Sequence, residues 1–280
     1  MPESATNLRK GSSASPIGVF DSGVGGLSVW REIVRQLPSE DTLYFGDQAH
    51  IPYGQRPLDE VRRLTGNITR FLLAQGAKLI VVACNTASGA ALHALRGTFP
   101  DVPFVGMEPA VKPAVEHTRT GIVGVIATPA TFQGDLFAGL IQRFGDGFDI
   151  HTQACPGLME VVEAGALDTP ETGALLRQYL TPLLDAGIDQ LVLGCTHYPF
   201  LSPAIQRIVG PEVTLIDPAP AVARQVGRVL SRCNLRAPAG QQGQHRFYTS
   251  GDPVQFAVMV RALIGVSQPV QFISNGGALC

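Results

Sequence analysis

Two short apolar stretches decide the fold: Leu79-Ile80-Val81-Val82-Ala83-Cys84-Asn85-Thr86 and Leu191-Val192-Leu193-Gly194-Cys195-Thr196-His197. Each has the length and composition of a strand that is buried on both faces of a parallel sheet. Each run ends in a small residue, followed by a cysteine and then by polar side chains. Because open α/β sheets bind their ligands at the carboxyl ends of strands, the pattern predicts two thiols that face one pocket.

The alternative for each thiol is a purely structural role, since free cysteine packs well as a small hydrophobic residue. A single cysteine in a strand would favour that interpretation, but two at equivalent places, each followed by polar side chains, favour function. Cys155, Cys233 and Cys280 lack such companions and are interpreted as structural. A zinc site built on the two thiols and His197 would have only three ligands, so we predict no metal.

Composition and length limit the class of protein. The 280 residues are enough for two compact domains, and the 21 basic and 23 acidic residues give no field that would attract nucleic acid or an anionic membrane. No apolar run reaches the roughly 18 residues of a membrane span. Residues 1–15 are polar and predict a disordered leader rather than a signal peptide. Five cysteines without CxxC pairs indicate reduced thiols in the cytoplasm.

The chain repeats its own architecture. The strand-like segment Gly18-Val19-Phe20-Asp21-Ser22 recurs as Gly124-Val125-Ile126-Ala127-Thr128, an offset of 106 residues, and the two cysteine strands are offset by 111. Strands that alternate with helices are typical of parallel α/β units. We therefore predict two similar parallel-sheet α/β domains with the active site in the cleft between them.

The predicted domain limits follow from this repeat. The first domain comprises residues 16–108 and 218–267, the second comprises 109–217, and 268–280 form a tail. Within the first domain, the helix after the first cysteine strand is expected to begin at about Ser88.

A glycine-rich turn, Gly23-Val24-Gly25-Gly26-Leu27-Ser28, follows the first predicted strand. It is close to the G-x-G-x-x-G fingerprint, but Asp21 beside it would repel a pyrophosphate, so a dinucleotide site is the less favoured interpretation. The favoured one is that backbone N–H groups of the turn bind a small carboxylate at the start of a helix.

Asp21 and His197 lie near strand ends in opposite halves, as the two thiols do. A thiol with an ordinary pKa near 8.5 needs a neighbouring group to exchange protons at neutral pH, and a carboxylate or an imidazole can relay that proton. Glu163 offers a second acid in the later half. Taken alone, each of these residues would be interpreted as a helix cap or a charged surface residue. They are interpreted as proton relays because we expect them to border the same cleft as the two thiols.

Four motifs resemble those of the glutamate racemases in the aspartate/glutamate racemase family: residues 20–29 (FDSGVGGLSV), Pro52-Tyr53-Gly54, residues 82–88 (VACNTAS) and residues 193–199 (LGCTHYP). The resemblance extends from about Pro16 to Ile264. One position departs from the pattern, because Glu160 stands where the second proline of a Cys-Pro-x-x-x-Pro-x-x-Glu segment is usual.

The resemblance implies two α/β domains that enclose glutamate without any cofactor. It implies that Cys84 and Cys195 are acid/base groups on opposite faces of the α-carbon, that Asp21 assists Cys84, and that His197 with Glu163 assists Cys195. Asp21 and His197 also match substrate-contacting positions, together with Ser22, Tyr53, Gly54, Asn85, Thr86 and Thr196. It further implies a cytoplasmic bacterial enzyme, commonly a homodimer, that supplies D-glutamate for peptidoglycan.

Two other functions remain open from the residues themselves. One is a racemase or isomerase that acts on aspartate or another dicarboxylate. The other is a two-lobed amino-acid binding protein without turnover. Binding alone gives no reason for a thiol in each lobe, whereas proton transfer on two faces of one carbon does.

Overall fold

A computed structural model describes residues 12–274, in which every strand pairing is parallel. The ten strands of this part are β1 (Ile17–Asp21), β2 (Thr42–Gly46), β3 (Leu79–Val82), β4 (Phe104–Val105), β5 (Ile122–Ala127), β6 (Asp149–Ala154), β7 (Gln190–Leu193), β8 (Thr214–Ile216), β9 (His245–Thr249) and β10 (Val270–Phe272).

Helices connect these strands, as parallel pairing requires. They are α1 (Leu27–Gln36), α2 (Leu58–Ala74), α3 (Asn85–Thr98), α4 (Val111–His117), α5 (Pro129–Gln133), α6 (Asp135–Phe144), α7 (Leu158–Glu163), α8 (Pro170–Asp185), α9 (Ser202–Val209), α10 (Ala219–Arg232) and α11 (Pro253–Ile264). Short 3₁₀ turns at Gln48–His50, Tyr53–Gln55 and Tyr198–Leu201 complete the described elements.

The strands form two sheets that repeat one topology. The first has the order β10-β9-β2-β1-β3-β4 and the second has the order β6-β5-β7-β8. The four strands β2-β1-β3-β4 of the first sheet therefore correspond one to one with the whole second sheet. The predicted pair of similar parallel α/β halves is confirmed.

The registers of the two sheets place the thiols equivalently. In the first sheet Phe20 of β1 pairs with Val82 of β3, and in the second Ile126 of β5 pairs with Leu193 of β7. Cys84 lies two residues beyond Val82, and Cys195 lies two residues beyond Leu193. Because the central strands of both sheets point their carboxyl ends at the same cleft, both thiols reach it from opposite sides.

The two halves are packed together by apolar side chains. One continuous core cluster contains Val19 and Trp30 from the first half together with Leu158 and Leu193 from the second, all of them buried. A buried hydrogen bond also joins the halves, because the Ser28 hydroxyl donates to the backbone carbonyl of Thr196 over 2.9 Å. These contacts join the two halves at the base of the cleft that the functional side chains line.

Several local expectations were wrong. Helix α3 begins at Asn85 instead of about Ser88, because Cys84 caps it: its sulfur accepts a hydrogen bond from the backbone N–H of Ala87. Residues 270–272, expected within a tail, form an edge strand paired with β9. Strand β6 was missed because its side chains are mostly half-exposed and carry little apolar periodicity.

The expected leader and tail extend beyond the residues that the structure describes. Residues 1–11 of the expected leader and 275–280 of the expected tail lie outside the described residues. Residues 12–15 form a turn closed by a hydrogen bond from the Ser15 N–H to the Ser12 carbonyl. Within residues 12–274, no helix combines the length and the apolar character needed to cross a lipid bilayer.

Candidate active site

A cavity of about 140 Å³ lies between the carboxyl ends of the two sheets. Ten of the eleven predicted site residues line it: Asp21, Ser22, Tyr53, Gly54, Cys84, Asn85, Thr86, Cys195, Thr196 and His197. The eleventh, Glu163, lies behind His197. Among the described residues that line the cavity, none is a lysine or an arginine, so an anionic ligand would be held by hydrogen bonds from neutral groups.

On the first side of the cavity, Cys84 lies at the N-terminus of helix α3, where N–H groups and the helix dipole favour a thiolate. Asp21 is fully buried at the end of β1. One oxygen of its carboxylate accepts from the Ser22 N–H over 2.6 Å, and the other accepts from the N–H of Gly26 and, over 3.3 Å, from the hydroxyl of Thr196. The carboxylate is thus held by both halves of the molecule.

Burial is the main influence on the pKa values of the two acidic groups on this side. Burial raises the pKa of the Cys84 thiol well above its ordinary value, and the charge of Asp21 raises it further. Burial also raises the pKa of Asp21, although the charge of His197 opposes this. A thiol and a carboxyl group whose pKa values are both raised are suited to passing one proton between them.

On the second side, Cys195 belongs to a chain of three groups. Its sulfur lies 3.6 Å from Nδ1 of His197, and Nε2 of the same ring lies 2.7 Å from Oε1 of Glu163. The imidazole is almost completely buried. In the second half, a histidine and a carboxylate therefore lie in series beside the thiol, whereas the first half places a single carboxylate near its thiol.

The pKa shifts of His197 and Glu163 favour an ion pair between the two side chains. Burial alone would lower the pKa of His197, but its hydrogen bonds with Cys195 and Glu163 raise it well above the ordinary 6.5. Burial alone would raise the pKa of Glu163, but the hydrogen bond from His197 and others from Val24 and Gln48 lower it. Both shifts favour an imidazolium next to a carboxylate, an arrangement that would place an N–H of the ring towards the Cys195 sulfur.

The glycine-rich loop has a different role from the one expected. Its N–H groups bind carboxylates that belong to the protein: that of Val24 donates to Glu163 Oε1 over 2.8 Å, and that of Gly26 donates to Asp21. A Cβ at Gly23 would overlap Glu163, and one at Gly25 would overlap the His197 ring. The glycines are needed because side chains from the other half pack directly on the loop.

The other predicted residues in the cavity wall differ in whether their polar side-chain atoms already have hydrogen-bond partners. Both polar side-chain atoms of Asn85 are buried, and neither has a hydrogen-bond partner among the described residues. The Tyr53 hydroxyl donates to Asp47 over 2.6 Å, and the Thr196 hydroxyl is directed at Asp21. Asn85 is thus free to bind a ligand, whereas the hydroxyl proton of Tyr53 is already engaged.

Some residues that line the cavity were missed in the sequence. The hydroxyl oxygens of Thr128 and Thr131 lie 3.0 Å apart in its wall, and the side chains of Cys155 and Glu160 also face it. The internal repeat carried the signal for Thr128, since it aligns with Ser22. The structural interpretation of Cys155 needs a qualification, because this buried thiol, whose pKa burial and the Cys195 charge raise to about 12, is part of the cavity wall.

Comparisons with known proteins agree with this geometry. A family model described as Asp/Glu/Hydantoin racemase matches residues 17–226. The chain belongs to this family. The predicted family membership is thereby confirmed, and the parallel two-domain α/β fold is that of its solved members.

Individual members of the family cover nearly the whole chain. The glutamate racemase of Roseiflexus sp. (strain RS-1) is 53% identical over 252 residues, which are 90% of this chain and 93% of that protein. The structure of a glutamate racemase isoform from Bacillus anthracis superimposes with a TM-score of 0.86 at 36% identity, covering 94% and 99% of the two chains. That of the Francisella tularensis glutamate racemase, solved with D-glutamate, gives 0.81 at 30% identity, covering 94% and 98%.

Substituting Gly25 tests how this member of the family uses its glycine-rich loop. The Cβ of Gly25→Ala would lie about 2.6 Å from Thr196 Oγ1 and would overlap the His197 ring. We expect turnover to fall by roughly 10²-fold, the scale of a misplaced acid/base group. Gly139→Ala in helix α6 is the control, since nothing lies within 4 Å of its Cβ, and it should keep full activity. Equal activities of the two variants would contradict the steric role of the loop.

The raised pKa of His197 predicts a specific dependence of stability on pH. Because its folded pKa is raised, the stabilisation from protonation is complete below the unfolded pKa near 6.5 and is lost as the pH rises towards the folded value. As the pH rises above 6.5, the wild-type protein should therefore lose stability relative to His197→Asn, by at most about 1.4 kcal/mol per pH unit. Urea unfolding of both proteins measures this, and a difference that is independent of pH would contradict the assignment.

Proposed function

We propose that the protein interconverts L-glutamate and D-glutamate without a cofactor, by proton transfer between Cys84, Cys195 and the two faces of the α-carbon. The observation that carries the proposal is the pair of thiols at equivalent strand ends on opposite sides of one cavity. Each thiol has its own proton relay, Asp21 for Cys84 and His197 with Glu163 for Cys195.

The proposed reaction balances within these groups. The thiolate of one cysteine takes the α-proton, so that a thiol and a carbanion form. The thiol on the opposite face then donates its proton to the carbon and becomes the thiolate. For the reverse direction the roles exchange. Afterwards each relay group returns its cysteine to the starting protonation state by exchange with solvent.

The cavity wall supports a small dicarboxylate as the substrate. Carboxylates would be bound by hydroxyl, amide and backbone N–H donors, and the unpartnered Asn85 amide is one such donor. We propose the same role for Gly54 and Thr86 and for the missed hydroxyls of Thr128 and Thr131. For Ser22, Tyr53 and Thr196 we propose contact through their oxygens as acceptors, because the Tyr53 proton is directed at Asp47 and those of Ser22 and Thr196 are directed at Asp21.

Glutamate is favoured over aspartate because relatives that are about 50% identical over 90% or more of this chain are named glutamate racemases. A binding protein without turnover is disfavoured because a buried imidazolium and a buried carboxyl beside two thiols are costly to maintain without chemistry. In the cell, we propose that a cytoplasmic homodimer carries out this reaction and supplies D-glutamate for peptidoglycan.

The direct test is turnover of single enantiomers by the full chain. Circular dichroism should show L-glutamate and D-glutamate each proceeding to the racemic mixture, with aspartate at least about 10²-fold lower in kcat/KM. Prior dialysis against a chelator and a carbonyl-trapping reagent should leave the rate unchanged. Loss of activity that only pyridoxal phosphate or a metal restores would overturn the cofactor-independent mechanism, and equal rates on aspartate would favour the dicarboxylate alternative.

Single substitutions of the thiols test whether racemisation needs both cavity cysteines. Cys84→Ala and Cys195→Ala should each abolish racemisation, because neither thiol alone can both remove and deliver the proton. Cys233→Ala is the matched control, since this exposed cysteine lies at the end of helix α10, away from the cavity. If either cavity variant stays active, the two-thiol mechanism is wrong.

A further inference from the structure

The charges of this chain are unevenly distributed. Helix α1 and residues 219–236, which pack against each other, carry six arginines and one glutamate, with no aspartate or lysine. Removing these from the chain's 21 basic and 23 acidic residues leaves 15 basic against 22 acidic. The near-zero total charge thus conceals a strongly cationic surface on an otherwise acidic protein.

Three of these arginines surround one shallow depression of about 460 Å³ on the surface of the first half. Its described lining contains no carboxylate and consists of Gln36, Leu37, Ala223, Arg224, Gly227, Arg228, Ser231 and Arg236. Arg224 and Arg228 lie four residues apart on the exposed face of helix α10, about one helical turn from each other. Arg236 comes from the segment after that helix and turns back towards them.

The third arginine is held in position by the floor of the depression. Nε of Arg236 donates to the Ser231 hydroxyl over 3.1 Å, and Nη2 lies 3.1 Å from where a Cβ at Gly227 would be. A larger residue at Gly227 would also press on Leu37. The absence of a side chain at Gly227 therefore leaves room for the guanidinium to lie over the helix.

In the part of the chain that the structure describes, the arginines around this depression have no carboxylate partner. Of the six, Arg35 is paired with Glu32 at 2.7 Å, and the guanidinium of Arg31 lies 5.6 Å from the centre of the Phe200 ring. Among the side chains that the structure describes, no carboxylate lies within 4.0 Å of Arg224, Arg228 or Arg236. Their mutual repulsion is thus uncompensated in the described part of the protein.

We propose that this depression is an anion-binding site for a small ligand with two or more linked phosphate groups. Guanidinium groups bind phosphate oxygens through paired N–H donors, and three of them match an anion with several charges better than a single carboxylate. The depression is open, so the phosphates would contact the arginines while the rest of the ligand remained in solvent. The site is separate from the catalytic cavity and does not depend on the function proposed above.

Titration calorimetry of the full chain with inorganic pyrophosphate at low ionic strength tests the site. We expect saturable binding of one pyrophosphate per chain, and affinity at least about tenfold lower in Arg236→Lys, which keeps the charge but loses the paired donors. Arg224→Ala/Arg228→Ala should weaken binding more strongly. The control Arg63→Ala/Arg70→Ala removes the same charge from helix α2 and should leave the affinity unchanged.

The outcomes separate a built site from general attraction. Citrate, a compact trivalent carboxylate, should bind at least about tenfold more weakly than pyrophosphate. Equal binding of both anions, equal losses in the α10 and α2 variants, or no binding of pyrophosphate would each overturn the proposal. A single-stranded oligonucleotide that binds through these arginines while pyrophosphate does not would also overturn it, in favour of a nucleic-acid surface.

Discussion

The contact on which the site depends is that between Glu163 and the glycine-rich loop of the other half. Oε1 of Glu163 accepts a hydrogen bond from the Val24 N–H over 2.8 Å and lies 2.7 Å from Nε2 of His197. One oxygen atom therefore fixes the imidazole that faces Cys195 and also fixes the distance between the two halves. Such an approach is possible only because Gly23 and Gly25 have no side chains.

The two halves share a fold but place different ionisable groups beside their thiols. Strand register places Ala127 in the second sheet where Asp21 stands in the first, so the second thiol has no carboxylate at that position. His197 and Glu163 replace it, and both thiols are thereby served by acidic groups in different arrangements. An exact repeat would have placed the same groups beside both thiols, whereas the protein has a carboxyl group with a raised pKa, Asp21, on one side and an imidazole with a raised pKa, His197, on the other.

The elements that could be predicted are those with strong local signals. The apolar runs before Cys84 and Cys195 predicted buried strands, and the repeat predicted two equivalent sheets. What the sequence did not reveal depends on contacts between distant segments, such as Glu163 on Val24. Strand β6 has too little apolar periodicity to be recognised. The total charge does not reveal the cationic surface around Arg228, because carboxylates elsewhere in the chain balance its arginines.

The central claim is that two thiols act on opposite faces of one carbon, and isotope incorporation in D₂O tests it most directly. Starting from one enantiomer, the product should carry deuterium at the α-carbon from the first turnovers, because the donating thiol has exchanged with solvent. The remaining substrate should stay largely undeuterated, because its own proton is held by the near thiol. Early product that retains the original proton would contradict the account, since a single base would then serve both faces.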